Sequence, residues 1–385
     1  MRSSGVLAWT CLAVALACDG GESVLDIGLT EIDEAAQIRE RNCVSGPLAK
    51  GINKTYVEAL GDGFSPADGS IPDGLGDLEE ARIRLGTGLR SDDGLWEVQP
   101  SLGKGLGVFA LQTIQAGTRI LDESPLFTID PGSLVSGQGF SFAAIAVAVD
   151  EAFAALNATA RAEFLSCPEH RDLEADAAWS REALVFRTNA YTMPGGTVGI
   201  FPRVAKVNHS CRPNAGAATV GGGGGGSGDE GPARRIVYAA RDIRAGEEVT
   251  VTYAPLAQTT DERRARLAQW GFTCDCAACE ARDDDEQRVE MRRLMGVIEA
   301  ELGRTDFGRD VQPDAEKLVR LVEEVGLSDY LVKAYKYAAY AASRSGKFGA
   351  ARRWARKELA VHEIADAQSR YAKETRAFLE SLPLL

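Results

Sequence analysis

Positive charge is in short supply in this chain. Forty-three basic residues against 56 acidic ones leave a formal net charge of −13, which argues against the basic stripe of a direct nucleic-acid binder. An acidic surface would suit a basic partner such as a lysine-rich tail, although solubility alone also accounts for it. Beyond the first 17 residues no run is long and apolar enough to cross a bilayer. The eight cysteines, at positions 11, 18, 43, 167, 211, 274, 276 and 279, show no paired spacing that would specify a disulfide framework. Histidine is limited to His170, His209 and His362.

What is present divides the 385 residues into unlike parts. Arg2 precedes an apolar run from Val6 to Ala17 that ends Ala15-Leu16-Ala17. This is the anatomy of a secretory signal peptide, at about 12 residues too short to span a membrane. Residues 1–17 are therefore expected to act as a signal-like segment that directs the chain to the secretory route. The alternative is a short hydrophobic helix or a misplaced gene start, which leaves the cytoplasm or nucleus. Sequons stand at Asn53-Lys54-Thr55 and Asn157-Ala158-Thr159. Residues 18–94 form an N-terminal extension. Within it, 61–80 is acidic, rich in Gly and Pro and free of basic residues, a composition that cannot bury a core.

From Leu95 the pattern changes. Gly107-Val108-Phe109-Ala110 and Thr118-Arg119-Ile120-Leu121 read as short strands around the Gln115-Ala116-Gly117 turn. Phe142, Ile145, Val149, Ala152, Phe153 and Leu156 recur at helical spacing and predict a packing helix. Six glycines at 221–226 lack the Lys-Ser/Thr of a phosphate loop and read as a hairpin connection. Strand signal resumes at Arg235–Ala239. Beyond Cys279 the chain reads as helical to its end, with Asp283-Asp284-Asp285-Glu286 placed to complement a helix dipole. Residues 330–344 and 347–367 form an alanine-rich helical hairpin resembling one tetratricopeptide-type unit. One such unit cannot bury its own face and must pack on 288–302 and 314–325.

Cys274-Asp275-Cys276-Ala277-Ala278-Cys279 offers three closely spaced thiolates, one short of the four that a closed structural zinc site needs. Cys211, in Asn208-His209-Ser210-Cys211-Arg212-Pro213-Asn214, is the expected fourth. Disulfides among these cysteines are the competing reading and gain weight only in a secreted chain, since Cys-x-Cys is poorly shaped for an internal bridge.

Together these strings resemble the SET domain of protein lysine methyltransferases, in particular the SET- and MYND-domain branch and its fungal relatives, without a seven-cysteine MYND finger. Ser101–Ala110 resembles the opening strand and cofactor turn, Arg187–Tyr191 the asparagine-bearing stretch, and Gly246–Tyr253 the run that ends on the active-site tyrosine. The resemblance implies an α+β fold over 95–281: small β-sheets around a knot-like core, a helical insert and a post-SET zinc loop. A tetratricopeptide-like all-α domain follows at 286–385. It implies S-adenosylmethionine-dependent methylation of a protein lysine, with a histone tail as one candidate substrate and a possible protein partner for the helical domain. Tyr253 would be the catalytic residue. Lys104, Gly105, Leu106, Gly107, Asn189, Asn208, His209 and Phe272 would contact the cofactor, and Cys211, Cys274, Cys276 and Cys279 would hold zinc. One position departs from the branch: Trp270 stands where a second channel tyrosine is usual. That departure motivates the alternative of an inactive, zinc-stabilised interaction scaffold.

Overall fold

The computed structural model describes residues 86–134, 142–171, 176–194, 196–222, 231–304 and 308–383. The signal-like segment, most of the extension with Cys11, Cys18, Cys43 and the Asn53 sequon, and the glycine run beyond Gly222 lie outside these residues. Among the described residues no helix is long and apolar enough to cross a membrane.

Three small sheets form the first half. β1 (Trp96–Ser101) and β2 (Gly105–Ala110) make a hairpin in register from Trp96↔Ala110 to Ser101↔Gly105. Gly103 and Gly105 take positive φ at its turn, which a side chain would oppose. Pairing starts earlier than the strand signal suggests: Val98 N–H donates to Leu89 O at 2.7 Å, so the chain joins this sheet before Leu95. β10 (Glu248–Val251) pairs antiparallel with β2 and parallel with the short β7 (Asn208–His209). A second sheet has the order β3 (Arg119–Glu123), β9 (Arg234–Ala239), β8 (Ala215–Val220), and a third the order β4 (Thr128–Ile129), β6 (Val198–Ile200), β5 (Ala190–Thr192). Trp96, Val98, Val108, Val207, Val237 and Val249 are buried in the core that the first two sheets share.

The expected helical insert is three helices, α1 (Phe142–Ala154), α2 (Ala158–Leu165) and α3 (Arg181–Asn189). Phe142, Ile145, Val149 and Phe153 line one face of α1, as their spacing predicts, and pack with Phe164 and Phe186. Asn157 is engaged locally: its side-chain oxygen accepts from Ala160 N–H at 2.9 Å and caps α2.

The second half is helical. α4 (Thr260–Leu267) opens on a capping box between Thr259 and Glu262. The short α5 (Ala277–Ala281) carries Cys279. Then come α6 (Asp285–Leu302), α7 (Gln312–Val325), α8 (Ser328–Arg344), α9 (Phe348–Asp366) and α10 (Arg370–Ser381). The hairpin expected at 330–367 is α8 and α9, and it does pack on the two helices before it. Leu294 and Ile298 of α6, Leu318 and Val322 of α7, and Ala334, Tyr337 and Ala338 of α8 share one core. That core also contains Cys211, Leu256, Leu267, Cys274 and Cys279, so the cysteine loop and the helices bury apolar surface against each other. α9 covers the second sheet, with Val361, Ile364 and Ala365 on Val220 and Ile236.

Candidate functional site

The site forms where β2, β7 and β10 meet. Parallel pairing places Asn208 beside Thr250 and His209 beside Val251, and Ser210 N–H continues the ladder to Val251 O at 2.9 Å. The string after β7 is tied down by Asn214, which is buried. Its oxygen accepts from Thr250 N–H at 2.8 Å and its amide donates to Glu248 O at 2.8 Å. The last residue of Asn-His-Ser-Cys-Arg-Pro-Asn therefore fixes β10, and Tyr253 two residues beyond it.

Tyr253 donates its hydroxyl to Val207 O at 2.6 Å. Burial raises its pKa well above the usual value for a phenol, and the neighbouring Tyr191 and Glu248 push in the same direction. The group therefore stays a neutral phenol at any physiological pH. Its proton is committed to Val207, while its oxygen retains lone pairs. The Tyr253 backbone N–H donates to His209 Nδ1 at 3.0 Å. Nδ1 must then be unprotonated, which puts the imidazole proton on Nε2, and Nε2 lies 3.2 Å from Cys211 Sγ. Burial lowers the His209 pKa to about 4, so the ring is neutral. One imidazole thus joins the backbone at Tyr253 to the cysteine cluster.

An aromatic wall stands around Tyr253. The Trp270 ring centroid is 5.4 Å from that of Tyr253, and Trp270 Nε1 donates to Thr188 O at 3.3 Å. Phe272 lies 6.4 Å from the His209 ring and is partly buried against the helical core. On the opposite side, Asn208 donates its amide to Leu106 O at 2.9 Å and to Glu248 Oε1 at 2.7 Å. Lys104 Nζ is 3.4 Å from Glu248 Oε2. Gly107 sits beneath this contact, and a Cβ there would come within 2.3 Å of Glu248 Oε1.

Most of the residues singled out in the sequence are therefore brought together: Lys104 to Gly107, Asn208, His209, Tyr253, Phe272 and the four cysteines. Asn189 is placed differently. Its amide donates to Pro168 O at 2.6 Å and Val185 O at 2.7 Å, which spends both hydrogens closing the end of α3. Glu248 and Asn214 were not singled out in the sequence, although both lie within the strings that carried the resemblance. An acidic residue leading an apolar strand run was the available signal for Glu248.

The sulfur atoms of Cys211, Cys274, Cys276 and Cys279 all lie within 4.8 Å of one another, so these residues could hold a metal ion. Cys211 Sγ is 4.0 Å from Cys274 Sγ and 3.5 Å from Cys279 Sγ. A tetrahedral zinc–thiolate site with bonds of about 2.3 Å needs sulfur pairs about 3.8 Å apart, so the donor set fits zinc. Basic side chains surround it. Arg263 is 0% exposed and approaches Cys279 Sγ at 3.9 Å, and Arg264 donates to Cys274 O at 3.0 Å. Arg288 of α6, also 0% exposed, donates to Cys211 O at 2.9 Å and grips Asp284 with two bonds of 2.7 Å.

Comparison with known proteins agrees with this geometry. Residues 105–254 match the family model described as the SET domain. The chain is 37% identical over 89 residues to the human histone-lysine N-methyltransferase SMYD3, covering 23% of this chain and 18% of that protein. It is 38% identical over 103 residues to the human N-lysine methyltransferase SMYD2, covering 26% and 21%. With the histone-lysine N-methyltransferase SET5 of the yeast Scheffersomyces stipitis it shares 33% identity over 120 residues, covering 30% and 22%. The chain spans only about a fifth of the length of these relatives. The family-model match identifies residues 105–254, the segment that holds the Asn208–Asn214 string beside β10, as a SET domain.

Proposed function

We propose that this protein is an S-adenosylmethionine-dependent protein-lysine N-methyltransferase. The observation that carries the reading is the seat of Tyr253, a neutral, buried hydroxyl whose proton is already bound to Val207 O at 2.6 Å.

A lysine must be neutral to attack a methyl group, and near pH 7 only roughly one in 2,500 is, a deficit of about 4.6 kcal/mol. A low-dielectric channel favours the uncharged amine. Tyr253, Trp270 and Phe272 supply such a wall, and Trp270 retains this role without a hydroxyl. Tyr253 cannot serve as a base, because its pKa is raised and its proton is engaged. It acts instead through its oxygen, which accepts from the incoming amine or from the methyl hydrogens and fixes their line of approach. S-adenosylmethionine supplies the electrophilic methyl group. Lys104 to Gly107, Asn208, His209 and Phe272 would hold it, the glycines by letting the backbone come close. Zinc on Cys211, Cys274, Cys276 and Cys279 would fasten the loop bearing Phe272 to the turn that follows β7.

The experiment is methylation with zinc-loaded protein, labelled S-adenosylmethionine and a mixture of histones and cell-extract proteins, beside Tyr253→Phe. Label on a protein lysine that falls about a hundredfold in the variant is the expected result, in line with loss of a preorganised polar group at a transition state. Absence of both labelling and cofactor binding would replace this reading with that of a zinc-stabilised interaction scaffold.

A further inference from the structure

Asn208 carries a primary amide with two hydrogens to give and one oxygen to offer. Both hydrogens are taken, one by Leu106 O at 2.9 Å and one by Glu248 Oε1 at 2.7 Å. The carboxamide oxygen has no protein partner among the described residues. Rotating the amide by half a turn would set that oxygen against a carbonyl and a carboxylate, three acceptors with no hydrogen among them. The two acceptors therefore allow one orientation, in which the oxygen points away from both.

Of these two acceptors the Leu106 carbonyl belongs to β2 and is common to any sequence, whereas Glu248 is a choice of side chain. Everything around its carboxylate is fitted to it. Gly107 leaves the space that a Cβ, at 2.3 Å from Oε1, would deny it. Lys104 from the neighbouring turn lies 3.4 Å from the second oxygen. The carboxylate thus touches three of the positions assigned to the cofactor and joins β10 to both β2 and β7.

We propose that Glu248 is a positioning residue for the cofactor, holding the Asn208 carboxamide so that its oxygen is presented to the α-ammonium group of S-adenosylmethionine. The inference rests on the methyltransferase reading. It adds the residue that sets the orientation of the pocket's acceptor, and it makes Gly107 part of that device. The ammonium is a donor with no lone pair, so only the oxygen end of Asn208 can receive it.

Calorimetric titration of the zinc-loaded protein with two ligands tests this. One ligand is S-adenosylmethionine; the other is 5′-methylthioadenosine, which has the same nucleoside and sulfur but no amino-acid end. Glu248→Ala is expected to weaken S-adenosylmethionine about tenfold, the effect of one lost hydrogen bond to a charged group. It should leave methylthioadenosine within twofold. Glu248→Gln keeps an acceptor for the Asn208 amide and loses less than Glu248→Ala. Glu248→Gln, which keeps the shape of the side chain and one acceptor, also serves if Glu248→Ala fails to fold: a smaller loss with the same ligand selectivity is the expected result. Equal losses for both ligands in the variants would mean that Glu248 only holds the sheet together, and unchanged affinity for both would deny it any role. If the wild-type protein binds neither ligand, the methyltransferase reading falls and the positioning role falls with it.

Discussion

Replacing Arg288 by methionine separates a structural cation from an ordinary helix-surface arginine. Its side chain is 0% exposed and that of Asp284 is 2% exposed. Two bonds of 2.7 Å join them, and further bonds reach Leu256 O at 2.7 Å and Cys211 O at 2.9 Å. Breaking a buried pair from one side costs about 3–5 kcal/mol, because the remaining charge stays buried. Two orphaned carbonyls raise the cost, and Arg212, which keeps bonds of 3.1 and 2.9 Å to Asp284, offsets part of it. We expect a loss of about 4 kcal/mol in urea unfolding of the zinc-loaded protein, a large share of a typical 5–15 kcal/mol. The double variant Asp284→Asn/Arg288→Met should lose less than Arg288→Met alone. The acid limb gives a second readout. Burial pushes the Asp284 carboxyl up, but the bonds from Arg288 and Arg212 outweigh it and hold the pKa below 3.8. Its contribution is therefore present above pH 3.8 and is lost as pH falls through the folded-state value. Arg288→Met should show a smaller acid-side loss, since only Arg212 then holds the carboxylate ionised. A cost under 1 kcal/mol, or a double variant no more stable than Arg288→Met alone, would refute the argument.

Three further outcomes follow from other parts of the molecule. Cys276→Ser should bring bound zinc, read by atomic absorption, well below one ion per chain. Since a structural zinc site is worth on the order of 10 kcal/mol, the melting temperature should drop by many degrees; a full complement of chelator-resistant zinc would contradict the four-thiolate assignment. Burial pushes the Asp329 carboxyl up to about 7, against an opposing pull from Arg235. An acid with a raised folded-state pKa destabilises the fold progressively as pH rises from about 4 to about 7, with no further loss above that. Asp329→Asn should remove that slope and make the protein more stable than wild type at pH 8; parallel stability–pH curves would show the assignment to be wrong. Gly216→Ala would place a Cβ 2.6 Å from the Tyr238 ring between β8 and β9. A loss of about 1–3 kcal/mol is expected from such overpacking, and a neutral result would mean the ring can move aside.

How much of this was legible in the sequence depended on how local the chemistry was. Cys-x-Cys-x-x-Cys reads as a candidate metal loop on its own, and the cysteine of Asn-His-Ser-Cys is the fourth sulfur that gathers with it. The helical repeat of Phe142, Ile145 and Val149, and the hairpin now seen as α8 and α9, follow from periodicity alone. Beyond the cysteines and the helical hairpin, what could not be read was which strings touch. Asp283-Asp284-Asp285-Glu286 does stand at the N-terminus of α6, with Asp285 and Glu286 in its first turn, but nothing local showed that the three aspartates also have partners elsewhere. Asp283 and Asp284 bind Arg212, Asp284 binds Arg288, and Asp285 accepts from Thr260 N–H at 2.8 Å.

Arg263 and Arg288 posed the same difficulty in reverse, for a basic residue in a polar helix ordinarily faces water. Their burial becomes sensible beside the partners that distant strings supply: Asp284 and two carbonyls for Arg288, and Asp285 with the Cys279 sulfur for Arg263. The helices after the cysteine loop therefore contribute to the site as well as covering it. Arg263 of α4 and Arg288 of α6 bring positive charge to the sulfur cluster, and Arg288 holds the carbonyl of the cysteine that follows Asn208-His209-Ser210. His209 then carries the connection from Cys211 Sγ to the backbone of Tyr253. A change at α6 thus reaches the tyrosine through three contacts, each shorter than 3.3 Å: Arg288 to Cys211 O, Cys211 Sγ to His209, and His209 to Tyr253 N. If that chain carries load, Arg288→Met lowers the methylation rate as well as stability at temperatures where the variant is still folded. A folded, zinc-replete Arg288→Met with the wild-type rate would show that the helices stabilise the site without setting its geometry.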